Sequence, residues 1–386
     1  MKKCDIVIAG SGIAGLSLLY SAMKSGIWAD RDIVVVDQEK KAENDKTISF
    51  WKQDVISFDH IIHAQWTQIS FFSNAGEKIY LEAGPYSYCS IRSIDFYREC
   101  LSYLSHFSNI TFVTDAIESI TQIGNVCHTA TANALYRSDL VFNSCFGGHQ
   151  TVKGEQYFLQ HFKGVRIKTD QLSIPQQEAY LMDFRTSQEN GTSFFYTLPL
   201  PSSELFVEYT VFSKKLLKES EYDEKIKEYL AEVLEIGEYQ VLETEFGVIP
   251  MTDHDFARRS GNIINIGTAG GDTRGSTGYT FTNLQKTIEH IIFSYQEYGH
   301  PFFKHENLGL KERLYDSTLL NVLDNGRYPG HQLFTDLFKG TEAHHIFRFL
   351  DAESKLWQDI KIMRSLRTWP LLYAFVKALP RMVLCR

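Results

Sequence analysis

The first forty residues alternate between apolar runs and a glycine cluster, and this pattern predicts a β-α-β unit. Residues 4–9 form a short apolar run that is typical of a buried strand, and residues 16–24 have the apolar spacing of a helix. Gly26 follows this helix at the position where a C-terminal cap adopts a left-handed conformation. Residues 33–36 are a second continuous apolar run, which is typical of a strand in a parallel sheet.

The pattern changes farther along the chain. Between residues 160 and 210, several segments of alternating apolar and polar residues predict an antiparallel sheet. Residues 213–236 are charged at helical spacing and predict a solvated helix, and the chain after residue 319 is helical and aromatic-rich. We therefore expect an α/β fold in which an antiparallel-sheet substrate domain and a helical C-terminal part accompany the N-terminal unit.

Composition places the chain among ordinary globular proteins. It has 386 residues, of which 44% are hydrophobic and 22% charged, which excludes a disordered or collagen-like chain. The formal net charge of −8 argues against nucleic acid as a partner. The six cysteines form no C-x-x-C pair, so we expect reduced thiols rather than a disulfide scaffold or a zinc ribbon. His344 and His345 lack the spacing of an H-E-x-x-H site, and no metal site is predicted.

The C-terminal 32 residues differ in charge from the rest of the chain. They contain seven basic residues and one acidic residue, and the apolar segment 369–376 lies among them. A basic, Trp-bearing apolar segment suits the surface of an anionic bilayer, although a helix packed on the protein body would explain the same pattern. The chain has no uninterrupted apolar stretch of about 18 residues, so no membrane-spanning segment is predicted.

The turn between the first strand and helix carries the pattern G-x-G-x-x-G. In such a turn the first glycine permits the tight bend, the second lets a pyrophosphate approach the backbone, and the third lets helix and strand pack closely. An acidic residue, placed to accept from a ribose hydroxyl, follows 22 residues after the last glycine. The pattern predicts a dinucleotide site built from Gly10, Ser11, Gly12, Ile13, Ala14, Gly15 and Asp37.

A second strand-glycine-helix element lies far downstream. A predicted strand at 262–266 is followed by glycine-rich segments and by a helix from about residue 281. Two-part FAD sites use such an element, so we expect FAD contacts there; an unrelated loop before a helix is the alternative. Thr268 stands where many flavoproteins have an aspartate, and the sequence leaves open whether Asp272 replaces it. The candidate contacts are Gly267, Ala269, Gly270 and Gly278.

Ordered segments along nearly the whole chain resemble the lycopene cyclases of the bacterial β-cyclase type, a flavoprotein family. Each segment alone is weak evidence, but their shared order and spacing make chance resemblance improbable. They are residues 10–15, 46–51, 88–92, 160–162, 182–184, 205–210, 247–251, 267–271, 276–279 and 347–351.

This resemblance implies a function and a fold. The implied reaction is the redox-neutral, acid-catalysed cyclisation of the linear ends of lycopene to β-ionone rings, giving β-carotene through γ-carotene. It implies FAD, active in its reduced form, with NAD(P)H as reductant, and lycopene or other linear carotenoids as substrates. We expect a cytoplasmic protein associated peripherally with the inner face of the membrane, where other carotenoid enzymes are possible partners.

The implied fold is a Rossmann-type FAD-binding domain of the hydroxylase-like flavoprotein kind. The predicted FAD-binding domain is discontinuous, and the antiparallel-sheet substrate domain is interleaved with it. The predicted boundaries are 1–50, 85–150 and 240–300 for the FAD-binding domain, 51–84 and 151–239 for the substrate domain, and 301–386 for the helical C-terminal part.

Glu208 is the predicted acid-base residue. Alternation along its strand places Phe206, Glu208 and Thr210 on one face, and a carboxyl among apolar neighbours keeps its proton near neutral pH. The alternative is an edge-strand glutamate that faces water. Asp183 is a second catalytic candidate, for which an ion pair with Arg185 or Arg166 is the alternative. The predicted substrate contacts are Phe50, Trp51, Phe206 and Tyr209, and Arg92 is a predicted flavin contact.

Two other functions share the cofactor motifs. A redox flavoenzyme acting on an apolar isoprenoid, such as a hydroxylase or a prenyl reductase, would consume NAD(P)H in step with product. A non-catalytic carotenoid-binding flavoprotein would hold its pigment unchanged. The segment around Glu208 favours the cyclase over both, because a carrier has no use for a buried acid.

Overall fold

The structure is a computed structural model, and it describes residues 1–148, 154–303 and 308–384. Within these residues the chain forms twenty strands and nine α-helices. The strands are β1 (Lys2–Lys3), β2 (Ile6–Ala9), β3 (Ile33–Asp37), β4 (Thr47–Lys52), β5 (Ala64–Trp66), β6 (Gln68–Phe72), β7 (Lys78–Leu81), β8 (Ser87–Arg92), β9 (Ile110–Thr114), β10 (Ile117–Ile123), β11 (Val126–Thr131), β12 (Leu135–Ser138), β13 (Leu140–Asn143), β14 (Tyr157–Lys168), β15 (Glu178–Asp183), β16 (Thr192–Leu200), β17 (Glu204–Ser213), β18 (Gln240–Thr252), β19 (Arg259–Ser260) and β20 (Ile263–Asn265). The helices in the described ranges are α1 (Ile13–Ser25), α2 (Ser93–Leu104), α3 (Glu219–Glu228), α4 (Phe281–Tyr298), α5 (Leu310–Asp324), α6 (Gly330–Gly340), α7 (Ala343–Leu350), α8 (Leu356–Arg364) and α9 (Thr368–Leu384).

The N-terminal unit is built on a six-stranded sheet in the order β19-β20-β13-β2-β3-β9. Its strands run parallel except for β19, which pairs antiparallel with β20. Every residue of β2 is buried, because helices α1, α2 and α4 cover one face of the sheet and a four-stranded sheet in the order β1-β12-β11-β10 covers the other. Helix α1 ends at Gly26, whose φ of 76° is left-handed, so the predicted β-α-β unit and its cap are confirmed.

A seven-stranded sheet in the order β18-β14-β17-β16-β15-β6-β7 forms the second layer. Its pairs are antiparallel except for β15 with β6. The predicted division assigns residues 240–300 to the FAD-binding domain, yet β18 pairs with β14 in this sheet along its length. That strand is corrected to the substrate-side sheet, and the remaining domain boundaries stay predictions.

The two faces of this sheet pack on different helices. One face packs on α3 and on a wider helical turn, Tyr229–Val233, which together replace the longer helix predicted at 213–236. The other face packs on the C-terminal helices. Alternation sorts the residues of β17, since Val207 and Tyr209 lie in the α3 cluster whereas Phe206 and Phe212 lie in the C-terminal cluster.

A small sheet in the order β4-β8-β5 connects the two layers. Its consecutive residues Phe50 and Trp51 belong to different cores, Phe50 to the parallel-sheet core and Trp51 to the core beneath the C-terminal helices. The expected α/β fold with a Rossmann-type domain, an antiparallel sheet and a helical C-terminal part is confirmed. None of the described helices is long and apolar enough to cross a membrane.

Candidate active site

Three loops meet at one edge of the parallel sheet. Strands β2, β13 and β20 end at Ala9, Asn143 and Asn265, and their loops begin side by side. Gly10 has a φ of 95°, and a Cβ atom there would overlap the side chain of Ser144 in the neighbouring loop. The carboxyl ends of parallel strands are where α/β proteins bind nucleotides, so this edge is the candidate cofactor cleft.

The glycines of the first loop have the geometry that a pyrophosphate needs. A Cβ atom on Gly15 would overlap the carbonyl oxygen of Gly10, which explains how closely α1 approaches β2. A Cβ atom on Gly12 would meet nothing within 4 Å, so space is open above this residue. Among the described residues, no side chain caps α1, and its first amides are available to an anion.

Asp37 lies at the end of β3, beside the glycine turn. Its Oδ2 accepts a hydrogen bond from the Ser11 amide at 2.6 Å, and its Oδ1 accepts from the Glu39 amide at 2.9 Å. The carboxylate is thereby held against the turn, at the position where the sequence predicts a ribose acceptor.

The second glycine loop touches the first. Gly267 has a φ of 64°, and a Cβ atom there would lie 2.9 Å from the Cβ of Ala14. Asp272 is fully buried and accepts hydrogen bonds from the Gly267 amide (2.6 Å), Arg258 Nη2 (2.7 Å) and Thr287 Oγ1 (2.6 Å). These bonds fix the loop. Asp272 is therefore a structural residue of the loop and does not take the place of the aspartate that many flavoproteins have at the position of Thr268.

The residues at this edge fit FAD. The open space above Gly12, the uncapped start of α1 and the contact between the two glycine loops are features of a two-part dinucleotide site. The second loop borders two cavities, one of about 440 Å³ that Thr268 and Thr273 line, and one of about 410 Å³ that Thr277 and Tyr279 line. The predicted FAD contacts, which stay predictions, are Gly10, Ser11, Gly12, Ile13, Ala14, Gly15, Asp37, Gly267, Ala269, Gly270 and Gly278.

The cavity of about 410 Å³ lies between the seven-stranded sheet and the C-terminal helices, and its lining is almost wholly apolar. Trp51 lines it, stacks on Phe347 with ring centroids 5.0 Å apart, and donates from Nε1 to Asp351 Oδ2 at 2.8 Å. Burial raises the pKa of Asp351 to about 7. The predicted position of Trp51 at an apolar pocket is therefore consistent with the structure.

Glu208 lies in the middle of β17, directly opposite Tyr196 on β16 and Gly164 on β14. Its carboxyl is 9% exposed and accepts a hydrogen bond from Thr210 Oγ1 at 2.7 Å. Burial, and then the charge of Glu245, raise the pKa of Glu208 to about 8. A carboxyl in this position keeps its proton at neutral pH and can act as a general acid.

Three tyrosines lie near Glu208, and two of them line the apolar cavity. Tyr88, Tyr196 and Tyr279 are close enough to interact electrostatically with one another and with Glu208, and burial raises the pKa of each. Tyr196 and Tyr279 line the cavity, and the ring of Tyr279 is 4.3 Å from that of Trp51. Glu208 is not itself a lining residue, but Tyr196, which lines the cavity, lies directly opposite it on β16.

A protein-family model described as lycopene cyclase protein matches residues 5–375. The chain belongs to the lycopene cyclase family. No curated protein matches it significantly in sequence.

Solved structures show the same fold at low sequence identity. A flavoprotein/dehydrogenase from Cytophaga hutchinsonii is 11% identical with a TM-score of 0.64, covering 98% of this chain and 100% of that one. The p-nitrophenol 4-monooxygenase PnpA from Pseudomonas putida is 15% identical with a TM-score of 0.59, and the match covers 98% of this chain and 99% of that one. A geranylgeranyl bacteriochlorophyll reductase-like protein from Thermoplasma acidophilum is 12% identical with a TM-score of 0.59, and the match covers 99% of this chain and 97% of that one. These structures show the fold, and the family supports a carotenoid-related enzyme.

Glu245 of this lycopene cyclase family member was not predicted from the sequence as a site residue. It lies on β18 at the register position of Gly164, accepts a hydrogen bond from Thr47 Oγ1 at 2.8 Å, and is 9% exposed. Burial raises its pKa to about 7. The one available signal was its position two residues before the family-like segment 247–251. The three tyrosines were missed because their rings converge only through the fold.

Several predicted site residues lie elsewhere. Asp183 is fully buried on the α3 face, where it pairs with Arg185 at 2.6 Å and accepts from the Tyr229 hydroxyl at 2.6 Å. Tyr209 is on that same face, because alternation turns it away from Phe206. Phe50 packs on Phe281 in the parallel-sheet core. These placements correct the expectation that Asp183, Tyr209 and Phe50 face the substrate.

Phe206 and Arg92 border a narrow groove rather than the apolar cavity. Thr47 and Glu245 also line this groove. Arg92 makes a two-point ion pair with Asp95, with distances of 2.6 Å and 2.9 Å, at the start of α2. The structure thus places Arg92 near the Glu245 side of the site, and its predicted flavin contact stays a prediction.

Proposed function

We propose that this protein is a lycopene β-cyclase that converts the linear ends of lycopene to β-ionone rings without net redox change. The observation that carries the proposal is Glu208, a buried carboxyl that holds its proton at neutral pH near two tyrosines that line an apolar cavity. The proposal includes reduced FAD as cofactor and NAD(P)H as its reductant.

The residues at the site match the needs of this reaction. In this proposal Glu208 is the source of the proton that reaches the terminal double bond of lycopene past Tyr196 and Tyr279, and the tertiary cation is attacked by a neighbouring double bond to close the ring. Loss of a ring proton to the carboxylate then gives the β-end. The faces of Trp51, Tyr196 and Tyr279 stabilise the cation by about 0.5–2 kcal/mol each. Reduced FAD, when bound, supplies an electron-rich ring system that further stabilises positive charge.

The cavity suits an apolar chain that enters from one side. Its volume of about 410 Å³ is within the range of ligand pockets, and it holds one end of a carotenoid. Leu372 and Met363 line the cavity while 46% and 37% of their surface is exposed, so the cavity reaches the surface between α8 and α9. The rest of a long substrate would leave the protein there.

The same two helices present a basic, apolar surface, and we propose that it rests on the inner face of an anionic membrane. Trp369 is 80% exposed at the start of α9, and further large apolar side chains on α8 and α9 are exposed beside it. Lys and Arg side chains flank them, as expected of a helix at an anionic interface. The exposed apolar residues are Leu356, Trp357, Ile360, Met363, Trp369, Leu372, Tyr373 and Val376. Arg386, the last basic residue of the predicted segment, lies outside the described residues.

Pigment analysis in lycopene-accumulating bacterial cells tests the reaction. Cells that express the chain should form a product of unchanged mass and altered chromatographic retention, and Glu208→Gln should abolish it. Glu232→Gln, an exposed glutamate on the wider turn after α3, is the matched control and should retain the product. A product heavier by oxygen or hydrogen would favour a redox flavoenzyme. Unchanged lycopene bound to flavin-loaded protein would favour a carotenoid carrier.

Vesicle flotation tests the membrane surface. The protein should float with vesicles that contain anionic lipid, and Trp369→Glu together with Val376→Glu should prevent flotation. Ile123→Glu alters an equally exposed apolar residue on the hairpin of β10 and β11 and should leave flotation unchanged. Flotation that survives the double change in α9 would refute this surface as the contact.

A further inference from the structure

One aromatic residue in the wall of the apolar cavity is hydrogen-bonded to a buried carboxyl. Trp51 on β4 lines the cavity, and its Nε1 donates to Asp351 Oδ2 at 2.8 Å. Asp351 is 9% exposed and does not itself line the cavity. The indole of Trp51 therefore contacts both the space where substrate is proposed to bind and a carboxyl outside that space.

The neighbours of Trp51 fix the orientation of its ring. Phe347 stacks on it with ring centroids 5.0 Å apart and ring planes 12° apart. Tyr279 meets it edge-on, with ring centroids 4.3 Å apart. Phe347 lies in the last turn of α7 and Asp351 caps that helix, so one element supplies both the stacking partner and the hydrogen-bond acceptor.

The end of α7 is itself held by two cations from the FAD side of the protein. Arg274, which follows the second glycine loop, donates to the carbonyl oxygens of Phe349 and Leu350 at 3.0 Å and 2.8 Å. Lys286 on α4 donates to the carbonyl oxygen of Asp351 at 2.9 Å. Cations at a helix C-terminus satisfy its free carbonyl groups and suit its dipole. These contacts hold the backbone of Asp351 in place beside Trp51.

We propose that Asp351 is a positioning residue for cyclisation that acts through Trp51: its carboxylate orients the indole and increases the negative charge on the ring face that stabilises the cation. This inference rests on the proposed function, since it assigns a further residue to the same reaction. In this role Asp351 does not touch substrate, and it exchanges neither a proton nor an electron with it.

A hydrogen bond to a carboxylate makes an indole a better partner for a cation. The charged acceptor polarises the N–H group, and the conjugated ring shares the electron density gained at nitrogen. Cations are attracted to the negative face of an aromatic ring, most strongly to that of tryptophan. Because the carboxylate is in place before the cation forms, no reorganisation is needed when charge develops in the cavity.

The effect requires the ionised form of Asp351. Burial raises the pKa of this carboxyl to about 7, and the hydrogen bond from Trp51 opposes the rise. Four other ionisable groups interact with it: Lys286 on α4 and Arg274 lower its pKa, Glu353 after α7 raises it, and Tyr86 before β8 stays neutral because burial raises its own pKa to about 12. The carboxyl therefore ionises as the pH rises through about 7.

A pH-rate profile of the flavin-loaded protein, with lycopene supplied in lipid vesicles, tests this role. The rate should rise as Asp351 ionises and fall as Glu208 loses its proton, which gives a bell-shaped profile with limbs at about pH 7 and about pH 8. In Asp351→Asn the amide oxygen still accepts from the indole, but the charge is absent. The acid limb should therefore disappear, and kcat at the optimum should fall about tenfold with KM unchanged.

Two further variants separate the charge of Asp351 from its surroundings. Glu353→Gln is the matched control, since it removes a carboxylate two residues away that pairs with Lys286. It should keep the acid limb, moved to lower pH because Glu353 raises the pKa of Asp351. Trp51→Phe keeps an aromatic wall without the N–H group, so in that background Asp351→Asn should lower kcat no further. An additional loss in the double variant would overturn action through Trp51.

Ultraviolet resonance Raman spectroscopy of the indole N–H group needs no substrate, so it separates this inference from the proposed function. The difference between the parent protein and Trp51→Phe isolates Trp51 from the other tryptophans. Its hydrogen-bond band should shift as the pH rises through about 7, and should not depend on pH in Asp351→Asn.

The outcomes distinguish the two proposals. A Trp51 band that does not titrate in the parent protein would overturn the role of Asp351 and leave the cyclase standing. A band that titrates in a protein that forms no cyclised product would overturn the proposed function, and with it this role. If Asp351→Asn does not fold, the pH-rate profile of Trp51→Phe decides, because an acid limb that persists there would overturn the inference.

Discussion

Replacing Glu208 by glutamine should stabilise the folded protein, and the gain should grow with pH. The pKa of Glu208 is raised from 4.5 to about 8 on folding. Between these values the folded state binds one proton more than the unfolded state, so this group makes stability fall as pH rises. The contribution of the Glu208 carboxyl to the free energy of unfolding is fully present below pH 4.5 and is lost as pH rises through about 8.

The size of this effect follows from the pKa displacement. At 1.36 kcal/mol per pKa unit, the shift corresponds to roughly 5 kcal/mol between pH 4.5 and pH 8. Glutamine resembles the protonated carboxyl in shape and hydrogen bonding, so the variant and the parent protein should differ by less than about 1 kcal/mol at pH 5. Above pH 8 the variant should be more stable by several kcal/mol, a large part of the usual total of about 5–15 kcal/mol.

Urea unfolding, followed by circular dichroism at pH 5, 7 and 8.5, measures this difference. The proteins should be compared at equal flavin occupancy, because a bound cofactor adds its own stabilisation. Glu243→Gln is the control, since Glu243 is only partly buried and pairs with Arg166. A stability difference for Glu208→Gln that does not change with pH would refute the reasoning, because the carboxyl would then titrate as it does in the unfolded chain.

Three further predictions concern other parts of the site. Gly15→Ala should unfold at a lower urea concentration than the parent protein, because the added Cβ atom overlaps Gly10. Gly12→Ala should fold normally but retain less flavin, as measured by flavin absorbance. Asp183→Asn should lower the free energy of unfolding by about 2–3 kcal/mol, since it weakens charged hydrogen bonds to a buried carboxylate, without changing the turnover of the folded protein. Tyr279→Phe should slow cyclisation in the pigment assay, and Tyr209→Phe, on the opposite face, should not.

Local patterns in the sequence were sufficient for the cofactor cleft. The strand, the glycine turn and the helix lie within the first 26 residues, and each glycine has a role that depends on its immediate neighbours. Alternation along β17 also placed Phe206 and Glu208 on one face. The same rule places Tyr209 on the other face, so its expected contact with substrate conflicted with the alternation itself.

Glu245 could not be found in this way because its partner is distant in the chain. Strand β14 lies between β17 and β18, so Glu208 and Glu245 come into the same row of the sheet, on either side of Gly164, only through the strand order. A local pattern reports which face of a strand a residue occupies, but not which strand lies beside it. Asp183 shows the converse, since its partner Arg185 is two residues away and was predictable.

Burial explains both the proposed chemistry and its cost in stability. A carboxyl that protonates an alkene must hold its proton at neutral pH, and removal from water achieves this for Glu208. The resulting cation must also be kept from water, which the apolar cavity beside Tyr196 and Tyr279 provides. One environment therefore meets both needs, and it does so by leaving the folded protein less stable at alkaline pH than glutamine would. If Glu208 had no catalytic role, its buried carboxyl would destabilise the fold without a compensating function.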